Sequence, residues 1–148
     1  MIIAIGADHG GFKLKEQIRE HLAACGHEVT DCGTYDETSC HYPMYAEKVA
    51  AAVASGGAEL GVLVCGTGIG MSMAANKVRG IRAAVVGDCF SAEATRRHNN
   101  ANVICLGERV TGAGLALKIV DAFLAAEFEG ARHQTRIDMI SDIENRNL

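Results

Sequence analysis

The sequence is poor in the features that mark several broad classes of protein. It has a single proline beside 17 glycines, which argues against a proline-rich linker protein and favours close backbone turns between regular elements. It has no basic excess, because 14 lysines and arginines stand against 18 acidic residues, for a net charge of −4. Proteins that bind nucleic acids depend on positive charge to attract phosphates. We therefore expect no nucleic-acid partner.

Long apolar runs are missing as well. No run reaches the roughly 18 residues that a membrane-spanning helix needs, so we expect no membrane partner. The opening residues, Met1–Gly6, have neither a basic leader nor a small-residue cleavage site, which argues against a signal peptide and predicts a cytoplasmic protein. With 49% apolar and 22% charged residues, the composition is that of a globular protein. The length predicts one domain over residues 1–148.

The cysteine spacing shows neither a metal site nor a disulfide framework. The six cysteines include no C-x-x-C pair and none of the familiar zinc spacings, so we expect no bound metal. Disulfides would also need an oxidising compartment. We expect reduced thiols, most of them buried as small apolar side chains: Cys25, Cys32, Cys40, Cys65, Cys89 and Cys105.

Strand and helix patterns alternate along the whole chain. Short segments predict strands, and the first and third are the continuous apolar runs typical of strands buried on both faces: residues 2–5, 27–32, 60–65, 81–86 and 102–106. Apolar residues at helical spacing predict the helices: one with Leu14, Ile18, Leu22 and Cys25 on its apolar face, one starting near Pro43, and others over residues 71–77, 91–98 and 135–146. Thr111 is predicted to cap a further helix that turns Leu115, Ile119, Ala122 and Phe123 inward.

Alternating strands and helices indicate βαβ units with a parallel sheet. Right-handed crossovers then predict an α/β fold, a Rossmann-like three-layer α/β/α arrangement with a five-stranded parallel sheet. The last helix carries Met139, Ile140 and Ile143, which need an apolar surface to cover them. We expect this helix to dock on a partner subunit, and the chain's own sheet is the alternative.

Several polar residues follow the predicted strands directly. Ligands of open parallel sheets bind beyond the carboxyl ends of the strands, where Asp8, His9, Cys65, Asp88 and Arg109 fall. Asp8 beside His9 pairs a carboxylate with an imidazole that could bind an anion, and an ordinary loop role is the alternative.

The third strand leads into a glycine-rich loop. Its G-x-G-x-G pattern over residues 66–70 differs from the G-x-G-x-x-G dinucleotide fingerprint on a first strand. Closely spaced glycines before a helix expose backbone N–H groups that can hold a phosphate or a transient oxyanion. A tight turn without a ligand is the alternative. Cys65, directly before this loop, is placed to favour its thiolate and could act as nucleophile or base, although for a cysteine taken alone a buried apolar role is the more common explanation.

Two further pairs lie outside these loops. His98 and Asn99 come at a predicted helix end, where capping would explain them. Arg132 and Arg136 lie four residues apart and share one face if helical. Two such guanidinium groups suit a phosphate monoester, whereas a solvated basic face is the more common explanation.

Together these motifs are specific, and they occur in order: Gly6-Ala7-Asp8-His9-Gly10-Gly11, Asp31-Cys32-Gly33-Thr34-Tyr35, Tyr42-Pro43, Cys65-Gly66-Thr67-Gly68-Ile69-Gly70, Ala75-Asn76-Lys77, Gly80-Ile81-Arg82, His98-Asn99, Asn102-Val103 and Gly130-Ala131-Arg132-His133-Gln134. The chain resembles B-type ribose-5-phosphate isomerases, in the sugar-phosphate isomerase family that also includes galactose-6-phosphate isomerase. The resemblance runs from Ile2 to about Ile143 without a large insertion.

The resemblance implies an aldose–ketose isomerase that interconverts D-ribose 5-phosphate and D-ribulose 5-phosphate through a cis-enediolate, without a metal or nucleotide cofactor. By analogy Cys65 is the base, and the backbone of the loop, Gly66, Thr67, Gly68, Ile69 and Gly70, stabilises the enediolate oxygen together with the Thr67 hydroxyl. The remaining roles are ring opening by His98, sugar contacts by Asp8, Tyr42 and Asn99, and phosphate binding by His9, Arg109, Arg132 and Arg136. The family further implies a homo-oligomer, a dimer or tetramer, with active sites between subunits.

Three alternatives stay open. In galactose-6-phosphate isomerase the motifs are divided between two kinds of subunit, whereas here Cys65, His98 and Arg132 share one chain. A six-carbon substrate such as allose 6-phosphate is harder to exclude, because the loop over residues 36–41 that is expected to border the sugar gives no pocket size. A non-catalytic phosphosugar-binding module could use the same fold, but it would need no base.

Overall fold

The computed structural model describes residues 1–147. Five strands and six helices follow one another along the chain: β1 (Ile2–Ala7), α1 (Phe12–Ala24), β2 (Glu28–Asp31), α2 (Tyr42–Ala54), β3 (Leu60–Cys65), α3 (Ile69–Ala75), β4 (Ala83–Val85), α4 (Cys89–Asn99), β5 (Val103–Gly107), α5 (Ala113–Ala125) and α6 (Arg132–Arg146). Among these residues no helix is both long and apolar enough to cross a membrane.

The strands form one parallel sheet in the order β2-β1-β3-β5-β4. The central strand β3 is buried along its whole length, as its continuous apolar run predicts. Its register places Cys65 opposite Gly107 of β5 and Val64 opposite Ala7 of β1. The carboxyl ends of the three central strands therefore meet at one edge of the sheet, and the predicted fold class is confirmed.

Helices cover both faces of the sheet and give three layers. One face packs against α2 and α3 through an apolar cluster that includes Val49 and Met71. The other packs against α1, α4 and α5 through a cluster that includes Ile18, Ala92 and Phe123. Both faces of a parallel sheet must be covered in this way, because its strands are apolar on both sides.

The C-terminal helix α6 lies beside α4, outside the two sheet-facing clusters. His133 and Ile137 are buried, whereas Met139, Ile140 and Ile143 are exposed. A cluster of exposed apolar side chains on one helix is typical of a protein–protein contact surface. The docking of α6 on a second subunit stays a prediction.

Three helices begin earlier than their patterns predict, and one of them, α4, begins at Cys89, two residues before the predicted start. Helix α3 begins at Ile69 and ends at Ala75, two residues before the predicted bounds of 71–77, because Gly68 in the left-handed conformation already serves as its N-cap. Helix α6 begins at Arg132, three residues before the predicted start. Arg132 and Arg136 therefore both lie on helix and share one of its faces.

The predicted start of α5 is wrong. Thr111 is buried and lies one position before the N-cap, which is Gly112 and has no side-chain cap. The inward face is also shifted, because Leu115 is 44% exposed and Ala116 takes the buried position instead. Ile119 and Phe123 are buried as predicted.

The expected burial of most cysteines is wrong as well. All six thiols are free, but only Cys65 and Cys105 are buried. Cys25 is exposed at the C-cap of α1, beyond the apolar face that was expected to include it.

Candidate active site

The carboxyl edge of the sheet gathers most of the predicted site residues, which we call the Cys65 cluster: Asp8, His9, Tyr42, Cys65, Gly66, Thr67, Gly68, Ile69, Gly70 and Arg109. Backbone bonds join the ends of β3 and β5, since Glu108 N–H donates to the Cys65 carbonyl (2.9 Å) and Arg109 N–H donates to the Gly66 carbonyl (3.1 Å). The turns after these strands are thereby held side by side.

Cys65 ends β3 with its sulfur directed at the following turn. The backbone N–H of Gly68 donates a hydrogen bond to Cys65 Sγ over 3.1 Å. The residue is buried at the strand end, where it belongs to the apolar cluster between the sheet and helices α2 and α3. An N–H donor aimed at sulfur stabilises negative charge there, which suits a base or a nucleophile.

The second buried thiol has a different environment. Cys105 lies within β5, completely buried. Burial raises the pKa of the Cys105 thiol far above its usual range, and the nearby Cys65 adds to the rise. Cys105 therefore stays protonated and packs as a small apolar side chain, as expected for the ordinary cysteines.

Position 68 requires glycine. Its φ is +81°, and a Cβ there would lie 3.0 Å from the backbone carbonyl carbons of Cys105 and Leu106. The turn thus fits tightly against β5, with Thr67 and Ile69 exposed on its outer side. Thr67 Oγ1 accepts a hydrogen bond from Ile69 N–H (3.3 Å), so the hydroxyl helps to shape the loop that it was predicted to serve.

The Asp8 carboxylate shapes the turn after β1. Its Oδ1 accepts from the N–H groups of Gly10 (2.9 Å) and Gly11 (3.2 Å). The residue is buried, so one oxygen has the ordinary loop role that the sequence left open. Oδ2 makes no hydrogen bond within residues 1–147, which leaves it for a ligand.

His9 has a defined hydrogen-bonding state. Its Nδ1 accepts from the backbone N–H of Cys40 over 3.2 Å. When neutral, the ring then carries its proton on Nε2, where it can donate to an anion. The contact also brings the loop over residues 36–41 next to the Cys65 cluster, where it was expected to border a sugar.

Arg109 extends over the glycines of two neighbouring turns. A Cβ on Gly66 would lie 3.2 Å from Arg109 Nη1, and a Cβ on Gly10 would lie 3.6 Å from Nη2. The guanidinium therefore occupies space that side chains at these glycines would fill. With His9 it places two donors for an anion at the same edge of the sheet.

Tyr42 joins the cluster from the start of α2. A Cβ on Gly70 would come within 2.8 Å of its ring carbons, so the ring lies directly on the first turn of α3. Tyr42 is 39% exposed, and its hydroxyl makes no hydrogen bond to the described part of the chain.

The other predicted residues lie at the opposite edge of the sheet. Helix α4 starts after the carboxyl end of β4 and returns the chain to the amino end of β5, as every crossover between parallel strands must. His98 and Asn99 form its last turn. With the start of α6 they make up the His98 cluster: His98, Asn99, Glu129, Arg132, His133 and Arg136. The chain does not bring this cluster to the Cys65 cluster.

Glu129 is a member of the His98 cluster that the sequence did not reveal. Its Oε1 lies 3.7 Å from His98 Nε2 and 3.9 Å from His133 Nε2. The two imidazole rings stack with centroids 4.4 Å apart. Glu129 stands directly before the motif that begins at Gly130, but no spacing signalled its contact with a helix about 30 residues earlier.

Arg132 and Arg136 are exposed on the first turns of α6. Their positive charges act on the neighbouring His133, whose pKa is lowered mainly by burial and further by Arg132. Two exposed cations beside a neutral imidazole form a surface that could bind a phosphate. Because this surface and the Cys65 cluster of the same chain lie at opposite edges of the sheet, one small substrate cannot contact both.

Asp88, the remaining candidate at the carboxyl edge, is a helix cap. It accepts hydrogen bonds from the N–H (2.7 Å) and hydroxyl (2.9 Å) of Ser91, and these bonds lower the pKa of its carboxyl. Its position is explained by capping of α4.

Two groups of described side chains bring three potential metal ligands within 4.8 Å of one another: His21, Cys25 and Asp121 between α1 and α5, and His98, Glu129 and His133. In the first group His21 Nε2 is already hydrogen-bonded to Asp121 (2.7 Å). Neither group includes Cys65.

Together these features define an α/β protein with a thiol beside a glycine-rich turn and, at the opposite edge of the sheet, a separate cluster of imidazole and guanidinium groups. The ribose/galactose isomerase family matches residues 3–140, and the chain belongs to that family. Ribose-5-phosphate isomerase B of Escherichia coli is 51% identical over 144 residues, 97% of each chain.

Two further relatives frame the comparison. A solved structure of ribose-5-phosphate isomerase B from Clostridium thermocellum matches with a TM-score of 0.99 at 51% identity, covering 100% of both chains. The galactose-6-phosphate isomerase subunit LacB of Clostridium acetobutylicum is 47% identical over 137 residues, 93% of this chain and 79% of that one. The family resemblance read from the sequence motifs is confirmed.

Proposed function

We propose that the protein interconverts D-ribose 5-phosphate and D-ribulose 5-phosphate, with Cys65 as the base. The observation that carries this proposal is the Gly68 N–H to Cys65 Sγ hydrogen bond of 3.1 Å, made at the strand end beside an anion turn. The two relatives at 51% identity bear the same activity in their names. Because a thiol base must stay reduced, the proposal also places the protein in the cytoplasm.

Cys65 moves one proton between two carbons. The thiolate removes the hydrogen from C2 of the open-chain aldose, and negative charge develops on O1 to give a cis-enediolate. A proton passes from O2 to O1, Cys65 returns its proton to C1, and the C2 ketone forms. The base needs a proton affinity suited to working pH, and backbone N–H groups of the glycine turn, with the Thr67 hydroxyl, stabilise the oxyanion. No step uses a metal or nucleotide cofactor.

His9 and Arg109 supply cationic or polar donors for the phosphate at the same edge of the sheet. Asp8, through its unused Oδ2, and Tyr42, through its hydroxyl, are placed to accept or donate hydrogen bonds to sugar hydroxyls. These assignments follow the family roles, and each residue lies in the Cys65 cluster.

A complete site needs two copies of the chain. His98, Asn99, Arg132 and Arg136 lie at the amino edge of the sheet, away from Cys65, so they serve the Cys65 cluster of a neighbouring subunit. The exposed Met139, Ile140 and Ile143 of α6 supply an apolar surface for that contact. The protein is therefore proposed to be a homo-oligomer, a dimer or tetramer, with active sites between subunits.

A six-carbon sugar phosphate is the second candidate substrate. It is favoured by the relative that is 47% identical and named as a galactose-6-phosphate isomerase subunit. The presence of Cys65, His98 and Arg132 in one chain argues for a self-sufficient homo-oligomer rather than for one of two unlike subunits.

The deciding experiment offers the purified protein ribose 5-phosphate, allose 6-phosphate and galactose 6-phosphate in parallel and measures ketose formation. We expect the largest kcat/KM for ribose 5-phosphate. A larger kcat/KM for a six-carbon sugar phosphate would show that this sugar, rather than ribose 5-phosphate, is the preferred substrate. Binding of all three sugars without turnover would indicate a non-catalytic phosphosugar-binding module.

A further inference from the structure

Glu129 and His133 surround His98 in a compact unit. One carboxylate oxygen of Glu129 faces the Nε2 atoms of both histidines, at 3.7 and 3.9 Å. The two rings are nearly parallel, with an angle of 10° between their planes. His98 is thus approached by a carboxylate at one nitrogen and by a flat ring on one face.

The carboxylate is itself fixed to α4. Arg97, next to His98 in sequence, donates to Glu129 Oε2 from Nε over 3.1 Å, and Glu129 N–H donates to the Arg97 carbonyl over 3.0 Å. Arg97 is held in turn by Glu93, one helical turn earlier, over 2.8 Å. Glu129 therefore has little freedom to move relative to His98.

His133 is a buried group with an unused nitrogen. It is 6% exposed, and its Nε2 has no hydrogen-bond partner among the described residues. Burial, and after it the charges of Arg132 and His98, lower the pKa of His133, against the opposing charge of Glu129. His133 is therefore neutral near pH 7.

We propose that Glu129 and His133 are positioning residues for His98, which they hold ready to open the sugar ring in the neighbouring subunit's site. This inference rests on the proposed function. Glu129 fixes the Nε2 side of the imidazole and leaves Nδ1 for the substrate, as carboxylates do for catalytic imidazoles, while His133 fixes the plane of the ring.

The assisted step is the opening of the furanose. In its protonated form His98 gives the Nδ1 proton to the ring oxygen O4, the C1–O4 bond breaks, and the C1 hydroxyl loses its proton to water as the aldehyde forms. His98 is left neutral, with its remaining proton on Nε2, which faces Glu129. A general acid in the right orientation typically contributes about 100- to 10,000-fold to such a step. A His98 ring held in the wrong orientation would lose part of that rate enhancement, while proton transfer by Cys65 would be unaffected.

The ketose allows the two steps to be separated. Ribulose 5-phosphate has no ring to open, because the hydroxyl that would close a five-membered ring carries the phosphate. Exchange of its C1 hydrogen with deuterium from D2O therefore requires Cys65 but neither His98 nor its positioning residues. Isomerisation that starts from ribose 5-phosphate requires both.

The test compares Glu129→Gln with Glu127→Gln, an exposed acid two residues away. We expect Glu129→Gln to lower kcat for ribose 5-phosphate by about tenfold or more and to keep the exchange rate of ribulose 5-phosphate within about twofold, while Glu127→Gln changes neither. Unchanged kcat, or equal loss in both reactions, would overturn the inference. A wild-type protein that performs neither reaction would instead overturn the proposed function.

A double variant checks that Glu129 acts through His98. Residues that act as one unit lose less together than the sum of their single effects. We expect Glu129→Gln combined with His98→Asn to be no slower from ribose 5-phosphate than His98→Asn alone. Losses that multiply would show a role for Glu129 that is independent of His98 and would overturn the positioning role.

Discussion

The backbone N–H of Gly68 donates a hydrogen bond of 3.1 Å to the sulfur of Cys65. The acceptor is the last residue of β3, and the donor is the N-cap of α3, so the strand and the helix meet at the reacting atom. The same turn that would stabilise a substrate oxyanion thus stabilises charge on the base.

Cys65→Ala is expected to abolish isomerisation, because it removes the thiol that accepts the Gly68 N–H and is proposed to take the C2 proton. Fold and phosphate binding should remain, as judged by circular dichroism and by calorimetric titration with ribose 5-phosphate. Cys25→Ala, which removes an exposed thiol, is the control and should keep full activity. Normal turnover in Cys65→Ala would remove Cys65 from the mechanism.

Gly68→Ala tests the anion turn. The added Cβ would press on the backbone of Cys105 at 3.0 Å and disturb the N–H that faces the sulfur. The same shift would displace the other N–H groups of the turn, which are proposed to hold the oxyanion. Loss of one oxyanion donor typically costs about 100- to 1000-fold in kcat, and we expect a loss of that size here.

Gly80→Ala is the matched control for this substitution. Its φ of +84° is nearly that of Gly68, but a Cβ there would meet no atom of residues 1–147 within 4 Å. Both variants should lose about 1–2 kcal/mol of stability from backbone strain, and Gly68→Ala should lose more because its Cβ also presses on β5. Only Gly68→Ala should lose turnover. Equal activity in the two variants would contradict the role of the turn.

Arg136→Ala is expected to raise KM for ribose 5-phosphate with little change in kcat, because a phosphate contact made equally in the ground and transition states affects binding alone. Initial-rate kinetics measure both constants. Arg146→Ala, in the last turn of the same helix, should leave KM unchanged. An unaltered KM in Arg136→Ala would exclude the residue from phosphate binding.

A buried cation contributes to stability far from the chemistry. Lys15 is fully buried, and its Nζ lies 2.8 Å from both carboxylate oxygens of Asp31. Asp31→Ala would leave this ammonium without its main partner, so we expect the free energy of unfolding in urea to fall by about 3 kcal/mol.

The control for Asp31→Ala is an exposed ion pair. Lys13 and Glu37 lie 3.3 Å apart with most of their side chains in solvent, and Glu37→Gln should cost less than about 1 kcal/mol. Similar losses in the two variants would show that burial of Lys15 adds nothing to its pairing with Asp31.

The sequence predicted the fold well where burial dictates the pattern. The continuous apolar run before Cys65 could only be a strand covered on both sides, and the structure has it as the centre of the sheet. Thr111 failed as a cap because tertiary burial outweighed its capping preference. That residues 1–148 form a single domain stays a prediction.

The sequence predicted which residues could take part in the site, but not where those residues lie relative to one another. Spacing placed Cys65 before a glycine turn, yet it could not show that His98 lies at the opposite edge, since this depends on the direction of α4. Glu129 was not predicted as a site residue, because it lies in the loop between α5 and α6, which has no periodic pattern, and contacts His98 on α4. Such contacts follow from topology rather than from local sequence.

The central claim, that each site joins Cys65 of one subunit to His98 of another, is tested by mixing two inactive variants. Subunits of Cys65→Ala and His98→Asn, unfolded together and refolded, form mixed dimers in which one site carries both changes and the other carries neither. Random pairing in a twofold dimer should then restore about one quarter of wild-type activity. If the mixture stays as inactive as its components while wild type refolds to full activity, the two residues act within one chain and the account is contradicted.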